Sequence, residues 1–127
     1  MPGKLLYEYA VVRLVPRVER EEFINAGVVL FVKQQRFLQC RIRLDRERLS
    51  ALCCATDAEE LQRYLDAFDR ICRGDGEGGP IAGLDAPSRF RWLTATRSTV
   101  VQTSKVHPGF CSDPGEMLDR LFEQLVG

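Results

Sequence analysis

The chain has 127 residues, enough for one domain with a buried core and too few for two domains of ordinary size. Hydrophobic residues make up 45% and charged residues 28%, the balance of a soluble globular protein, which excludes a disordered tail. Lys and Arg (18) cancel Asp and Glu (18), no apolar run approaches the ~20 residues that span a bilayer, and Met1–Val12 lacks the order of a signal peptide, so a single cytoplasmic domain over residues 1–127 is expected.

Lys4–Val15 is apolar in both of its alternating sets, Leu5-Tyr7-Tyr9-Val11 and Leu6-Ala10-Val12-Leu14, which predicts a central strand covered on both faces. Pro16 ends it, and the charged run Arg17–Glu22 reads as a solvated connection. Phe23–Lys33 is a second apolar strand, with Asn25 and Gly27 marking a bulge or a close backbone approach. After a turn at Gln34-Gln35, Arg36–Leu44 alternates Leu38, Cys40, Ile42 and Leu44 with Phe37, Gln39, Arg41 and Arg43, giving one buried face and one wet, basic face.

Asp45 is placed to cap a short helix over Arg46–Cys54, with Leu49, Leu52 and Cys53 inward. Asp57 and Glu60 start a longer helix in the manner of a capping box, and Leu61, Tyr64, Leu65, Phe68 and Cys72 recur at helical spacing until Gly74. Residues 74–87 form a flexible glycine-rich loop by composition. Its G-x-G-x-x-G follows a helix and carries Asp75 and Glu77, so it is no phosphate fingerprint. Ser88–Ala95 reads as a strand or extended arm, Thr99–Val106 as another strand, His107-Pro108-Gly109 as a turn, and Asp113-Pro114-Gly115-Glu116 as the capped start of a last helix. The fold class is α+β: a mainly antiparallel sheet of about five strands in the order β-β-β-α-α-β-β-α, with the helices packed on one face.

The zero net charge is unevenly distributed: residues 33–48 carry six basic and two acidic side chains, and residues 87–112 four basic and no acidic ones. If the two stretches share a sheet as neighbouring strands, one face is cationic. Arg97, Ser98, Thr99, Gln102, Ser104 and Lys105 then either line a pocket for phosphate or a nucleic-acid backbone, or form a solvated strand face. Arg13 and Glu22 are candidates for an ion pair, and Asn25 either contacts a ligand or satisfies backbone groups at a bulge. Five cysteines without a C-x-x-C pair and a single histidine, His107, give no metal or disulfide framework, and no cofactor is expected. His107 is either an acid or base near neutral pH or a turn residue, with no Ser or Cys placed beside it by spacing, and Cys111, four residues on, is a candidate nucleophile with nothing in the sequence to lower its pKa.

The block from Tyr9 to Val32, with Arg13, Pro16, Glu22-Phe23, Asn25 and Gly27-Val28-Val29-Leu30-Phe31, and the later block with Arg97-Ser98-Thr99, Gln102, His107 and Asp113-Pro114, resemble the bacterial domain-of-unknown-function 3037 family. Thr96 stands where the family pattern leads one to expect proline. The resemblance implies no activity. Members are often encoded beside a HipA-like kinase-fold protein, which implies that protein as a partner. The leading expectation is therefore a non-enzymatic binding or adaptor module whose ligand-binding residues are Arg13, Asn25, Arg97, Ser98, Thr99, Gln102 and His107. The alternatives are nucleic-acid or phosphate binding through the basic strands, and an enzyme acting on a phosphorylated substrate.

Overall fold

The doubly apolar segment Leu5–Leu14 is strand β1, with neighbours on both sides. The computed structural model describes residues 4–52, 57–95, 97 and 99–127. Strands Ile24–Val32 (β2) and Phe37–Ile42 (β3) extend the sheet from one side of β1, and the short strands Val101–Thr103 (β4) and His107–Cys111 (β5) pair with its other side. Every pairing is antiparallel. Helices Arg46–Leu52 (α1), Ala58–Arg73 (α2), Ala86–Thr94 (α3) and Pro114–Leu125 (α4) complete the described elements. The α+β class and the antiparallel sheet of five strands are as expected.

The helices, however, cover both faces rather than one. Ala10, Val12, Leu14, Val29 and Phe31 pack with Leu61, Leu65, Phe68 and Cys72 of α2 and with Phe90 and Leu93 of α3. The alternate residues Val28, Leu30 and Val32 pack with Leu118, Leu121 and Phe122 of α4. The reason lies in β2: it is buried continuously from Ala26 to Val32, and a strand apolar on both faces needs a layer on each.

The bulge at Asn25 and Gly27 is present. Val12 pairs with Gly27 but Arg13 pairs with Asn25, so Ala26 is the extra residue, and its carbonyl accepts the Arg43 N–H at 2.8 Å. Gly27 also meets the next strand closely, since a Cβ there would fall onto the Arg41 carbonyl oxygen and within 3.0 Å of Ile42 Cγ1.

Three local expectations are corrected. Ser88–Ala95 belongs to helix α3: Asp85 accepts the Ser88 N–H at 2.8 Å, Pro87 occupies the first turn, and Phe90 stacks on Phe31 at 5.1 Å. The strand expected over Thr99–Val106 is confined to Val101–Thr103. His107-Pro108-Gly109 is no turn but the start of β5, where Gly109 leaves room for the Tyr7 ring and the proline sits on a strand with one neighbour. The element order is thus β-β-β-α-α-α-β-β-α.

The other helix readings hold where they can be followed. Asp57 caps α2 by accepting from Glu59 N at 3.0 Å, and Gly74 ends it in the left-handed region at φ 72°. Of its expected inward residues only Tyr64 is turned out, Ile71 being buried instead. Asp45 caps α1 through Arg48 N at 3.1 Å; Cys53 and Cys54 lie outside the described residues. Within the glycine-rich segment, 3-10 turns occupy Gly76–Gly78 and Pro80–Gly83, and Ala82 is buried against the core.

Ser104 joins β4 to β5. Its Oγ accepts the Val11 N–H at 2.8 Å and donates to the Lys105 carbonyl at 2.9 Å, while its own N–H bonds Val11 O at 2.9 Å. Replacing Ser104 by Ala leaves the Val11 N–H without a partner in a buried place, and urea denaturation is expected to show a loss of about 1–3 kcal/mol.

The Asp85 cap makes an acid-sensitive contribution. Its hydrogen bonds from Ser88, side chain first and then backbone, hold the carboxyl below its ordinary range. A carboxyl lowered in the folded state stabilises above its unfolded value, and that contribution is lost as the pH falls through the folded value. Asp85→Ala is expected to lower the melting temperature at neutral pH and to narrow the gap from wild type as acid protonates the cap, which thermal melts between neutral and strongly acidic pH will show.

Candidate functional site

Between the outer flank of α2, the end of α3 and the approach to β4 lies an open cleft of about 520 Å³. Its floor and walls are Tyr64, Phe68 and Ile71 of α2, Trp92 and Leu93 of α3, and Val100 and Val101. Helical spacing explains the α2 wall: positions 64, 68 and 71 share one stripe, and where no strand covers its edge Tyr64 is 45% exposed. Trp92 is 37% exposed because Phe90 and Leu93 take the buried side of α3.

Arg97 is the one charged residue among those lining this cleft. Its guanidinium lies over the Trp92 ring at 4.1 Å from the centroid and donates to the Trp92 carbonyl. Two contacts leave further N–H donors of the five for an incoming acceptor. Stacking on a large ring fixes the plane in which those donors point. Across the cleft, the Tyr64 hydroxyl donates to Glu60 at 3.1 Å, a bond that raises the tyrosine above its ordinary value.

The remaining sequence-derived candidates do not all gather there. Thr99 and Gln102 reach the cleft rim, with the Thr99 hydroxyl donating to Val101 O at 2.7 Å and the Gln102 amide to Thr99 O at 2.8 Å. Ser98 lies outside the described residues. Arg13 and Asn25 are cross-strand partners on the α4 side of the sheet, where Asn25 Nδ2 donates to Leu125 O at 3.0 Å. Arg13 does not pair with Glu22, which is bonded to Arg20; its guanidinium lies over the Phe23 ring at 4.2 Å. The reason is position, because Arg13 is inside the sheet and the neighbouring aromatic face offers a contact that needs no buried carboxylate. The His107 ring lies tilted against that of Tyr9, its partner in register, at 5.3 Å between centroids.

Nor do the two basic stretches form one face. β3 and β4 stand at opposite ends of the strand order β3-β2-β1-β4, and Arg89 and Arg91 are on a helix. The basic side of β3 is turned to α4: Arg41 pairs with Asp119 at 2.8 Å and lies over Phe122, and Arg43 and Arg48 donate to the Val126 carbonyl, each at 3.3 Å.

Cys40 and Cys111 are both pushed toward the protonated form. Cys40 is raised far above its ordinary value by a hydrogen bond with Cys72 and by burial, and it lies 3.3 Å from Asp69 Oδ1. Burial and then Asp113 raise Cys111. A thiol so placed is a poor nucleophile, since the thiolate is the reactive form. Among the described residues no cluster of His, Cys, Asp and Glu is arranged to hold a metal ion, and no helix is long and apolar enough to cross a membrane.

An antiparallel sheet clothed by helices on both faces, with an apolar cleft beside α2 and α3 and one arginine over it, defines an α+β protein. Its family is shown by sequence. The model of the family described as "Protein of unknown function (DUF3037)" matches residues 9–126, and the chain belongs to that family. No curated protein and no solved structure matches it. Trp92, Tyr64 and Ile71 were missed as site residues in the sequence because each has the character of a core side chain. The signal that finds Trp92 is its place on α3, two residues after the buried Phe90 and one before the buried Leu93.

Proposed function

We propose that the protein works by binding, as a module that docks a partner protein through the cleft between α2, α3 and β4. The observation that carries this reading is the cleft itself: about 520 Å³, walled by aromatic and aliphatic side chains, with a single guanidinium fixed over it. Such a site combines an apolar anchor pocket with one orienting charge, the usual composition of a recognition site. Arg97, Thr99 and Gln102 are its polar contacts; Arg13, Asn25 and His107 contribute from the sheet side as a second, smaller surface. The partner proposed is the HipA-like kinase-fold protein that the family resemblance implies.

Co-purification of the two proteins tests the reading. A complex at micromolar concentrations is expected, and Trp92→Ala is expected to weaken it by about 2 kcal/mol, roughly thirtyfold in Kd, as for a tryptophan at the centre of an interface. No complex at those concentrations ends the proposal.

A further inference from the structure

Strand β5 lies at the margin of the sheet, and its outer side is open. Val11 O accepts the Ser104 N–H and the Val15 N–H reaches Val100 O, so the odd-numbered residues of β1 aim their backbone groups at β4 and β5. Their partners Cys111, Gly109 and His107 take up those bonds, which by alternation turns the backbone N–H and C=O of Phe110 and the C=O of Pro108 away from β1. Among the described residues no strand pairs with that outer side. The sheet face next to it is apolar and bare. Ala10, Val12 and Leu14 of β1 pack beneath α2 and α3. Leu6 shares their face by strand period, yet it is 49% exposed, and its cross-strand partner Phe110 is 66% exposed. Val106 and Pro108 are exposed at the start of the strand.

We propose that the β5 edge is occupied by a second copy of this chain, paired antiparallel with the first about a two-fold axis at Phe110, a surface separate from the cleft. An open edge beside a bare phenylalanine is a template for another strand. The register follows from Pro108, which has no N–H to offer. Centred on Phe110, the pairing exchanges the Phe110 N–H and C=O reciprocally between copies, lets the Ser112 N–H meet the Pro108 carbonyl, and leaves the missing donor at the margin. The same register sets Phe110 against Phe110 with a Leu6 behind each, so the two bare patches run together as one. Charge favours a second copy over an unrelated strand. Lys105 and His107 stand exposed at one end of the edge and Asp113 at the other, and among the described residues neither Lys105 nor Asp113 has an ion-pair partner within 4.0 Å. Antiparallel self-pairing about Phe110 brings His107 of one copy opposite Asp113 of the other, with Lys105 just beyond, and does so twice by symmetry.

Analytical ultracentrifugation of the full chain is the first measurement. The weight-average mass is expected to rise from 14.4 kDa toward twice that value between about 10 μM and about 1 mM, the range of a small interface. Phe110→Glu, a change at an exposed position, is expected to keep the wild-type circular dichroism and to weaken self-association at least about tenfold. Amide exchange followed by NMR in the wild-type chain is the second measurement and needs no variant. The Phe110 and Ser112 N–H groups are expected to exchange slowly at the high concentration and freely at the low one. A chain that stays monomeric throughout, a dimer that Phe110→Glu leaves intact, or a dimer whose Phe110 amide exchanges as freely as in the monomer overturns the inference. So does a monomeric chain in which that amide is protected only when the HipA-like kinase-fold protein is added, a result that gives the edge to a strand of that protein.

Discussion

Gly27→Ala is expected to cost about 3 kcal/mol or more, enough to leave a domain of this size largely unfolded at moderate urea concentrations. A Cβ at position 27 would fall on the Arg41 carbonyl oxygen, a backbone atom of the adjoining strand, with Ile42 Cγ1 and Cα close behind at 3.0 and 3.2 Å. Arg41 is paired with Val28 and Ile42 with Gly27, so this backbone retreats only if the end of the ladder opens and β2 and β3 separate locally. The same bulge ties Ala26 O to Arg43 N, so the disturbance reaches the residue that leads the chain out of β3. Gly109→Ala supplies the contrast. There the obstructing atoms are the far end of the Tyr7 side chain, which can swing aside, and a smaller loss is expected. Equilibrium urea unfolding of both variants measures the difference; equal losses would show that the close approach at Gly27 is not what holds β2 against β3.

Phe122→Ala is expected to be nearly as severe, at about 3–5 kcal/mol, the usual range for emptying a buried phenylalanine site. Phe122 is 3% exposed, packs with Val28, Leu30 and Val32, and receives Arg41 at 4.6 Å and Arg43 at 5.6 Å over its ring. The variant therefore empties the second core and removes the aromatic face beneath two arginines. Phe122→Leu separates these contributions, retaining most of the buried volume while losing the cation–π contacts, and should cost about 1 kcal/mol beyond the small packing change. Thermal unfolding of the two variants is the measurement. If Phe122→Leu and Phe122→Ala unfold alike, the arginines of β3 are held chiefly by this ring rather than by α4 as a whole.

These two residues also show what could be read in the sequence. Gly27 beside Asn25 was legible as a bulge with a close approach because a glycine inside an apolar strand has few other uses. The arginines of β3 were legible as one face of an alternating strand, but their partner was not: α4 is more than 70 residues further on, and nothing local says that its acidic and aromatic side chains will cover that face. The wet, basic face is thus a helix contact, with Arg43, joined by Arg48 from α1, donating to the carbonyl of Val126.

Helix α3 was misread for a different reason. Phe90, Arg91, Trp92 and Leu93 satisfy a strand alternation as well as a helical one over so short a window, and the deciding signal was Asp85 followed by Pro87. The equivalent pair Asp113-Pro114 was read correctly because a clear apolar stripe follows it. Once α3 is a helix, Trp92 and Arg97 lie beside α2 instead of in the sheet, and the cleft exists. The candidate site was therefore legible in part: Arg97, Thr99 and Gln102 border the cleft, whereas its apolar walls come from residues whose exposure depends on how two helices meet. Arg13, Asn25 and His107 share the opposite face of the sheet because β1 pairs them in register with one another or with Tyr9.

Isothermal titration of the wild-type chain and of Trp92→Ala with the HipA-like kinase-fold protein tests the docking role proposed for the cleft most directly. The account predicts saturable binding by wild type and a roughly thirtyfold weaker affinity for the variant. Absence of binding by wild type, or equal affinity of the two, would contradict it.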